Sequence, residues 1–114
     1  MVDNRLDTVF HALADPTRRG MLAQLAFGET SISELAEPYR MTLAGASKHV
    51  KVLEAAGLVA RKKMGRTHLC SLRAKPLEEA ERWLSQWEKY WNVHLDRLEA
   101  AIDAGKHKQE KTND

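Results

Sequence analysis

The chain has 114 residues, of which 43% are hydrophobic and 30% are charged, and its formal net charge is +2 at neutral pH. This length leaves room for one compact domain, since domains typically run to about 100 residues or more. No apolar run approaches the roughly 18 residues of a membrane span, and the N-terminus lacks the features of a secretory signal. The single cysteine, Cys70, cannot form an intramolecular disulfide. We therefore expect a cytoplasmic protein.

The charge is strongly segregated along the chain. Residues 40–75 contain nine lysines and arginines against a single acid, Glu54, which gives a net charge of +8. Residues 1–39 have a net charge of −3, residues 76–105 of −4 and the tail of +1. The basic block therefore has few acidic partners within its own segment, which indicates a polyanionic ligand.

The first two predicted helices lie on either side of Asp15. Residues 4–14 repeat apolar side chains at helical spacing. Asp15 is a good N-cap and Pro16 is tolerated at the first helical position, so a second helix begins there. Arg18 and Arg19 fall in its first turns, where the helix dipole disfavours cations. They need a partner, which is either a nearby carboxylate such as that of Asp15 or a DNA phosphate.

A helix-turn-helix arrangement is predicted next. Ser31 and Glu34 have the form of a capping box that opens a short third helix, which Pro38 ends. Thr42 caps a fourth helix over residues 43–56, whose apolar residues line one side. A short helix, a tight connection and a longer helix are typical of the helix-turn-helix motif.

The side of the fourth helix opposite its apolar stripe is small and cationic. Small residues let a helix enter a DNA major groove, lysines neutralise phosphates or meet guanine acceptors, and amides at the helix N-terminus can donate to a phosphate. Val52 also falls on this exposed side, and the sequence does not indicate what it does there. An ordinary solvated helix face is the alternative. The predicted DNA-contacting residues here are Thr42, Ala44, Gly45, Ser47, Lys48 and Lys51.

A basic β-hairpin follows, and we interpret it as a wing. Residues 58–63 and 67–72 flank Met64-Gly65-Arg66, a spacing that suits a hairpin with Gly65 at positive φ. Its cations have no acid nearby in sequence, so they repel one another and phosphates would supply the missing countercharge. The alternative is a solubilising basic loop. The predicted DNA-contacting residues of the hairpin are Arg61, Lys62, Lys63 and Arg66.

Residues 76–104 predict one long amphipathic helix with a wide apolar stripe. At about 1.5 Å per residue it would span roughly 43 Å, which is more than so small a domain can cover, so part of the stripe needs a second chain. A two-fold dimer would place its recognition helices roughly 34 Å apart, at successive major grooves. Packing of Trp83 and Trp87 in the core is the alternative. The predicted dimer-interface residues are Leu6, Phe10, Leu84, Trp87, Trp91, Leu95, Leu98 and Ile102.

Together these elements predict a mainly α fold with a small β-hairpin, namely a winged helix-turn-helix of five helices and a two-stranded wing. Residues 1–105 form the DNA-binding and dimerisation domain, and residues 106–114 form a disordered polar tail. Such a homodimer is suited to binding double-stranded DNA at a pseudo-palindromic operator, as a transcriptional repressor does.

Three stretches of the sequence are distinctive, namely Ala14-Asp15-Pro16-Thr17-Arg18-Arg19, the run SKHVKVLEAAGLV at residues 47–59, and the basic turn at Gly65-Arg66. With these motifs, the sequence resembles the arsenic-repressor (ArsR) family of dimeric winged-helix transcription regulators over roughly residues 5–103. The resemblance implies first and last helices at the dimer interface, a recognition helix at residues 43–56, and repression that a signal relieves.

The metal sites of that family are not reproduced in this sequence. Many members bind metals through a Cys-x-Cys pair in the third helix, and Ser31 and Ser33 stand at the corresponding positions. Serine hydroxyls do not replace thiolates for soft metals. A second family site pairs Asp and His with a later His and acid, and His94 with Glu99 or Asp103 does not have that spacing. We therefore predict no regulatory metal and no other cofactor, with a cryptic His-based zinc site as the alternative.

Two functions from other classes compete with DNA binding. An enzyme could use only Cys70 and His68 as nucleophile and base, since positions two apart on a strand share a face. No third orienting group, oxyanion donor or phosphate loop accompanies them, so we predict that the chain is not an enzyme. The other alternative is a winged helix used as a protein-interaction module, with its basic face on an acidic partner.

Overall fold

The computed structural model describes residues 4–112 of the chain, with side chains over residues 4–106. The contacts divide the chain after Ala80 into an N-terminal unit and a C-terminal unit. The elements in chain order are α1 (Arg5–Leu13), α2 (Pro16–Leu25), β1 (Thr30–Ser31), α3 (Ile32–Ala36), a 3-10 turn (Glu37–Tyr39), α4 (Leu43–Ala55), β2 (Val59–Met64), β3 (Thr67–Leu72), α5 (Lys75–Ser85) and α6 (Glu88–Thr112).

The mainly helical fold with a hairpin after a helix-turn-helix is confirmed, but the expected counts of five helices and two strands are wrong. Over residues 4–112 there are six α-helices, because the long last helix is interrupted at Gln86 and Trp87. The amide of Gln86 bonds to the carbonyl of Trp83 at 3.3 Å, and that of Trp87 to the carbonyl of Leu84 at 3.0 Å, a tighter pattern than the α-helical one. The additional strand is β1, which has only two residues. This is too short for an alternation of apolar and polar residues to indicate a strand in the sequence.

The helix α6 continues past Gly105 to Thr112, through most of the segment for which the sequence predicts disorder. A glycine inside a helix costs about 1 kcal/mol relative to alanine, which weakens a helix without necessarily ending it. Residues 113 and 114 lie outside the described residues, and the division into a domain over residues 1–105 and a tail stays a prediction. Within residues 4–112, every helix falls short of the length and apolar character that a membrane crossing requires.

The core of the N-terminal unit lies between its helices and the hairpin. The largest fully buried side chains include Met21 of α2, Leu35 of α3, Val50 and Leu53 of α4, and Leu58 just before β2. Burying a side chain of this size stabilises a fold by about 1.5–3 kcal/mol. The core therefore fixes α3 and α4 against the base of the hairpin, which positions the candidate site.

The three expected N-caps are confirmed. Each side-chain oxygen accepts a hydrogen bond from an amide that the start of a helix leaves unpaired, and so defines where the helix begins. The capping pairs are Asp15 with the amide of Arg18 (3.0 Å), Ser31 with that of Glu34 (3.2 Å) and Thr42 with that of Gly45 (3.0 Å).

The three strands form one antiparallel sheet in the order β1-β3-β2. In the hairpin, Arg61 lies opposite Cys70, and Met64 lies opposite Thr67, so the two strands are joined by a two-residue turn. Gly65 in this turn has φ +64°, as the sequence predicts for a residue that must adopt the left-handed region.

Candidate nucleic-acid interface

The outer face of α4 is exposed, as the sequence predicts. Thr42, Ala44, Lys48 and Lys51 are exposed, whereas Ala46, Val50 and Leu53 on the opposite side are fully buried. Gly45 and Ser47 are half-buried at the margins. The interpretation of Val52 as lying on the exposed side is wrong, because its half-buried side chain packs against the core.

The N-terminus of α4 has one amide already satisfied. The hydroxyl of Thr42 accepts from the amide of Gly45 at 3.0 Å, so an incoming phosphate would meet the amides of Leu43 and Ala44 instead. A Cβ atom added at Gly45 would lie 3.3 Å from Oγ1 of Thr42, which is a crowded contact. A glycine at this position therefore keeps both the cap and a thin helix face.

The tip of the hairpin carries three exposed cations, Lys62, Lys63 and Arg66. Like Lys48 and Lys51 of α4, they make no ion pair with any group in residues 4–106. Cations without internal partners retain their charge for an external polyanion.

Arg61 differs from the other cations of the hairpin. Its Nη2 lies 2.6 Å from Oε1 of Glu54 in α4, and its side chain is only 18% exposed. Arg61 has no acid nearby in sequence, but the packing of β2 against α4 brings Glu54 to it, so its charge is not left without a countercharge. The contact between Arg61 and Glu54 is an ion pair whose geometry does not meet that of a hydrogen bond. Within the described part of the chain, Nε and Nη2 of Arg61 therefore have no hydrogen-bond partner.

The guanidinium groups of Arg18 and Arg19 bind backbone carbonyls. Arg18 donates from Nε to the carbonyl of Ala12 at 2.8 Å and from Nη2 to that of His11 at 3.0 Å, and Arg19 donates to that of Leu13 at 2.7 Å. These carbonyls end α1, where cations are favoured. Neither of the expected partners, a carboxylate or a phosphate, is therefore needed to explain the two arginines.

The carboxylate of Asp15 lies in the same corner. The hydrogen bond from the amide of Arg18, aided by the charges of Arg18 and His49, holds the pKa of Asp15 below its ordinary value despite the opposing effect of desolvation. His49 of α4 is half-buried, with Nδ1 at 3.4 Å from Nη1 of Arg18 and 3.9 Å from Oδ2 of Asp15. The corner thus links α4 to the start of α2.

One groove joins the outer face of α4 to the hairpin. Its volume is about 420 Å³. It brings together four of the predicted DNA-contacting residues, two from the helix and two from the hairpin, so both elements border the same surface. The lining residues are Ser31, Ile32, Ser33, Leu43, Ala44, Ser47, Arg61, Arg66, Thr67 and His68.

The predicted dimer-interface residues fall into two groups. Leu6 and Phe10 are half-buried and pack against the core of the N-terminal unit. The others are between 45% and 61% exposed, and they are Leu84, Trp87, Trp91, Leu95, Leu98 and Ile102. Trp87, which could equally have been a core residue, therefore lies at the surface.

Tyr90 also belongs to this apolar region, although the sequence pattern did not indicate it. Its ring makes edge-to-face contacts with those of Trp87 at 6.1 Å and Trp91 at 6.0 Å, measured between ring centroids. Tyr90 is 52% exposed. The apolar residues predicted for the dimer interface do not include its position, and only its aromatic character could have indicated it.

The pair suggested for catalysis shares one face of the hairpin, since Cys70 lies opposite Arg61 and His68 opposite Lys63. Burial raises the pKa of the Cys70 thiol, which disfavours the thiolate that a nucleophile requires.

Among the described residues, no three His, Cys, Asp or Glu side chains are grouped so that they could hold a metal ion.

Known proteins match this chain over the same helix-turn-helix and hairpin elements. Residues 13–62 match the model of a helix-turn-helix domain. The chain is similar to the HTH-type transcriptional regulator Rv2034 of Mycobacterium tuberculosis, with 31% identity over 98 residues that cover 86% of this chain and 89% of the relative. It is also similar to the transcriptional repressor SdpR of Bacillus subtilis, with 28% identity over 79 residues that cover 69% and 88%. The crystal structure of the ArsR family transcriptional regulator RHA00566 superimposes with a TM-score of 0.74 at 37% identity, covering 81% of this chain and 95% of that one.

Proposed function

Because this chain belongs to the ArsR family of winged-helix transcriptional regulators, we propose that it represses transcription by binding a pseudo-palindromic operator as a homodimer. The observation that carries this proposal is the single surface on which α4 and the hairpin meet. The outer face of α4 and the tip of the hairpin also carry five exposed cations, none paired within residues 4–106, namely Lys48, Lys51, Lys62, Lys63 and Arg66.

In this proposal α4 enters the major groove. Ala44, Gly45 and Ser47 are small enough for the helix backbone to approach the bases, while Lys48 and Lys51 reach phosphates or guanine acceptors. The hydroxyl of Thr42 holds the helix N-terminus in the conformation that directs amides outward. The hairpin follows the adjacent backbone, where its cations replace condensed counterions.

Arg61 acts in this proposal as an internal support of the hairpin. Its ion pair with Glu54 joins β2 to the C-terminal half of α4. A pair that is two-thirds or more shielded from water on both sides loses less to screening than a surface pair does. The hairpin is therefore held beside the recognition helix before DNA arrives.

The homodimer is supported by the exposed apolar residues of the C-terminal unit. Trp91, Leu95, Leu98 and Ile102 recur at intervals of three or four on α6, so they share one side of the helix. Each is more than half exposed in the single chain. A second copy of the chain would cover this stripe and set two recognition helices roughly 34 Å apart. The contributions of Leu6 and Phe10 to that interface stay predictions.

Footprinting on the promoter region of the protein's own gene tests the DNA-binding part. We expect a protected inverted repeat with half-sites about one helical turn apart. Lys48→Ala should weaken binding about tenfold, or ~1.4 kcal/mol, whereas Lys89→Ala, which removes the same charge from α6, should leave it nearly unchanged. Weak, sequence-blind binding by the unaltered protein would contradict the proposal and favour a protein-interaction module.

Sedimentation of a charged variant tests the homodimer. Trp91→Asp places a carboxylate in the centre of the apolar stripe, so we expect monomers. Asn92→Asp introduces the same charge at the next position, off the stripe, and should leave the dimer intact. A Trp91→Asp protein that remained dimeric would remove α6 from the interface.

A further inference from the structure

The groove between α3, α4 and the hairpin has features that DNA binding alone does not require. Its volume of about 420 Å³ lies within the range of about 300–1,000 Å³ that is typical of small-molecule sites. No acidic side chain lines it, whereas Arg61, Arg66 and His68 do. The lining therefore carries no negative charge, and within the described residues its unpaired cation is Arg66.

Two residues that line the groove, Arg61 and His68, contain buried nitrogen atoms without hydrogen-bond partners in the described part of the chain. Nε and Nη2 of Arg61 and Nδ1 of His68 are all inaccessible to water and have no hydrogen-bond partner within the described residues. Buried polar atoms in folded proteins are nearly always paired, and leaving one unpaired is unfavourable. Glu54 neutralises part of the charge of Arg61 but provides no aligned acceptor. Because a ligand oxygen is about as large as water, the side chains of Arg61 and His68 must shift before these atoms can meet an acceptor in the groove.

Hydroxyl groups complete the lining. Ser33, Ser47 and Thr67 border the groove, and each can donate one hydrogen bond. Ser31 uses its oxygen to accept from the amide of Glu34, which leaves its proton available for a ligand. A planar guanidinium fork beside several hydroxyl donors matches the oxygens of a phosphate group.

We propose that this groove is a phosphate-binding site, in which Arg61, Arg66 and His68 and the surrounding hydroxyls hold a phosphate group. The phosphate belongs either to a small phosphorylated molecule or to the DNA backbone. Because Ala44, Ser47 and Arg66 also belong to the proposed DNA-binding surface, the two sources compete for one site. Phosphate binding itself does not rest on the proposed function, whereas the competition does.

Titration of the ¹⁵N-labelled protein with inorganic phosphate, replacing chloride at constant ionic strength, tests the site. We expect saturable shifts at the amides of Ser47, Thr67 and His68. Arg61→Met should weaken binding about tenfold, or ~1.4 kcal/mol. Glu54→Gln should tighten it, because the carboxylate that competes with phosphate for Arg61 is removed.

A matched variant separates the site from a general ionic effect. Arg73→Met makes the same chemical change at an exposed position outside the groove and should leave phosphate affinity unchanged. The proposal is overturned if no saturable shifts occur, if Arg61→Met and Arg73→Met weaken binding equally, or if Glu54→Gln weakens it. The opposite effects expected for the two partners of the ion pair keep the test decisive even where Arg61→Met loses stability.

A second measurement identifies the source of the phosphate. Affinity for a DNA duplex is measured in chloride and in phosphate at the same ionic strength. If phosphate lowers the affinity more than chloride does, the groove holds a backbone phosphate in the complex. If phosphate lowers the affinity no more than chloride does, DNA leaves the groove free, the competition is refuted, and the source is a small phosphorylated molecule. A protein that binds phosphate but no DNA would refute the proposed function and leave this site standing.

Discussion

Two pairs of adjacent cations show how differently the fold treats similar stretches of sequence. Arg18 and Arg19, in the first turns of α2, direct their guanidinium groups to carbonyl oxygens at the end of α1. Lys62 and Lys63, in β2, are exposed and pair with no acid in residues 4–106. Adjacent basic residues therefore do not by themselves indicate a nucleic-acid surface. The deciding factor is whether the fold provides acceptors for them.

The acceptors at the start of α2 come from the neighbouring helix. The last carbonyls of α1 form the negative end of its dipole, and that of His11 also accepts from the amide of Ala14 at 3.2 Å. The sharp turn at Asp15 brings these carbonyls next to the first turn of α2. An arginine that is unfavourable at the N-terminus of its own helix is thus stabilised at the C-terminus of the previous one.

In the hairpin, the alternation of the strand separates neighbouring cations. Arg61 lies opposite the buried Cys70 and on the face toward α4, where it meets Glu54, while Lys62 points to the other face. Lys63 shares the face of Arg61 but lies nearer the exposed turn. Of these three consecutive basic residues, Arg61 therefore pairs with an acid of the chain itself, whereas Lys62 and Lys63 remain exposed to solvent or DNA.

Neutralising the tip of the hairpin should have the largest effect of the changes that probe this contrast. The triple variant Lys62→Gln, Lys63→Gln, Arg66→Gln should bind DNA about 100-fold more weakly near physiological salt, or ~2.8 kcal/mol. The slope of log affinity against log salt should fall by about one per lost phosphate contact. Stability should change by less than about 0.5 kcal/mol, because these side chains are exposed. Fluorescence anisotropy over a salt series measures both quantities.

A second triple variant controls for net charge. Arg73→Gln, Lys75→Gln and Lys89→Gln together remove the same number of positive charges from positions outside the α4 face and the hairpin tip. We expect a much smaller change in the salt slope. Equal changes in the two variants would mean that net charge governs binding, and the assignment of the hairpin to the interface would be wrong.

Removing Arg18 should act on folding instead. Arg18→Met deletes the charged hydrogen bonds to the carbonyls of Ala12 and His11, so the free energy of unfolding should fall by about 2 kcal/mol. The DNA affinity of the protein that remains folded should be unchanged. Urea denaturation measures the first effect, and binding at a temperature well below the transition measures the second.

The neighbouring arginine provides the comparison. Arg19→Met loses one exposed hydrogen bond, to the carbonyl of Leu13, and should cost about 1 kcal/mol or less. If folded Arg18→Met protein lost as much DNA affinity as the hairpin variant, the guanidinium would be a phosphate contact and the contrast between the two cation pairs would fail.

The fold could be predicted wherever a signal acts over a few residues. The caps at Asp15 and Thr42 and the positive φ of Gly65 depend on neighbours no more than three positions away, and the sequence indicates all three. The interruption at Gln86 carries no proline or glycine, so nothing local marks it. The strand β1 is defined by its pairing with β3, which lies about forty positions further along the chain.

The candidate site could be predicted only as a set of residue types. Sequence spacing places Lys48 and Lys51 on the outer face of α4, because helical periodicity determines which side is buried. It could not show that Arg61 meets Glu54, since that contact depends on how β2 packs against α4. Nor could it show that His68 and Arg61 border one groove, because strand register and helix packing act together there.

The smallest expected effect concerns the carboxylate that caps α2 beside the two arginines. Asp15→Asn keeps a capping oxygen and removes the charge, so the free energy of unfolding at pH 7 should fall by about 0.5 kcal/mol. The pKa of Asp15 is lowered in the folded protein, so its ionised form stabilises the fold above the unfolded pKa of about 3.9. That stabilisation is lost as the pH falls through the lower, folded pKa.

The difference in stability between the unaltered protein and Asp15→Asn should therefore be constant above about pH 5 and shrink as the pH falls below about 3.9. Urea denaturation over a pH series measures it, with Asp96→Asn on the exposed surface of α6 as a control for losing a negative charge. A difference that persisted undiminished to the lowest pH would show that the carboxyl group acts as a neutral cap. The positive charge of Arg18 would then be balanced by the carbonyls of α1 alone. The corner around Arg18 would differ from the hairpin tip only in offering carbonyl acceptors, because in neither place would a carboxylate balance the cations.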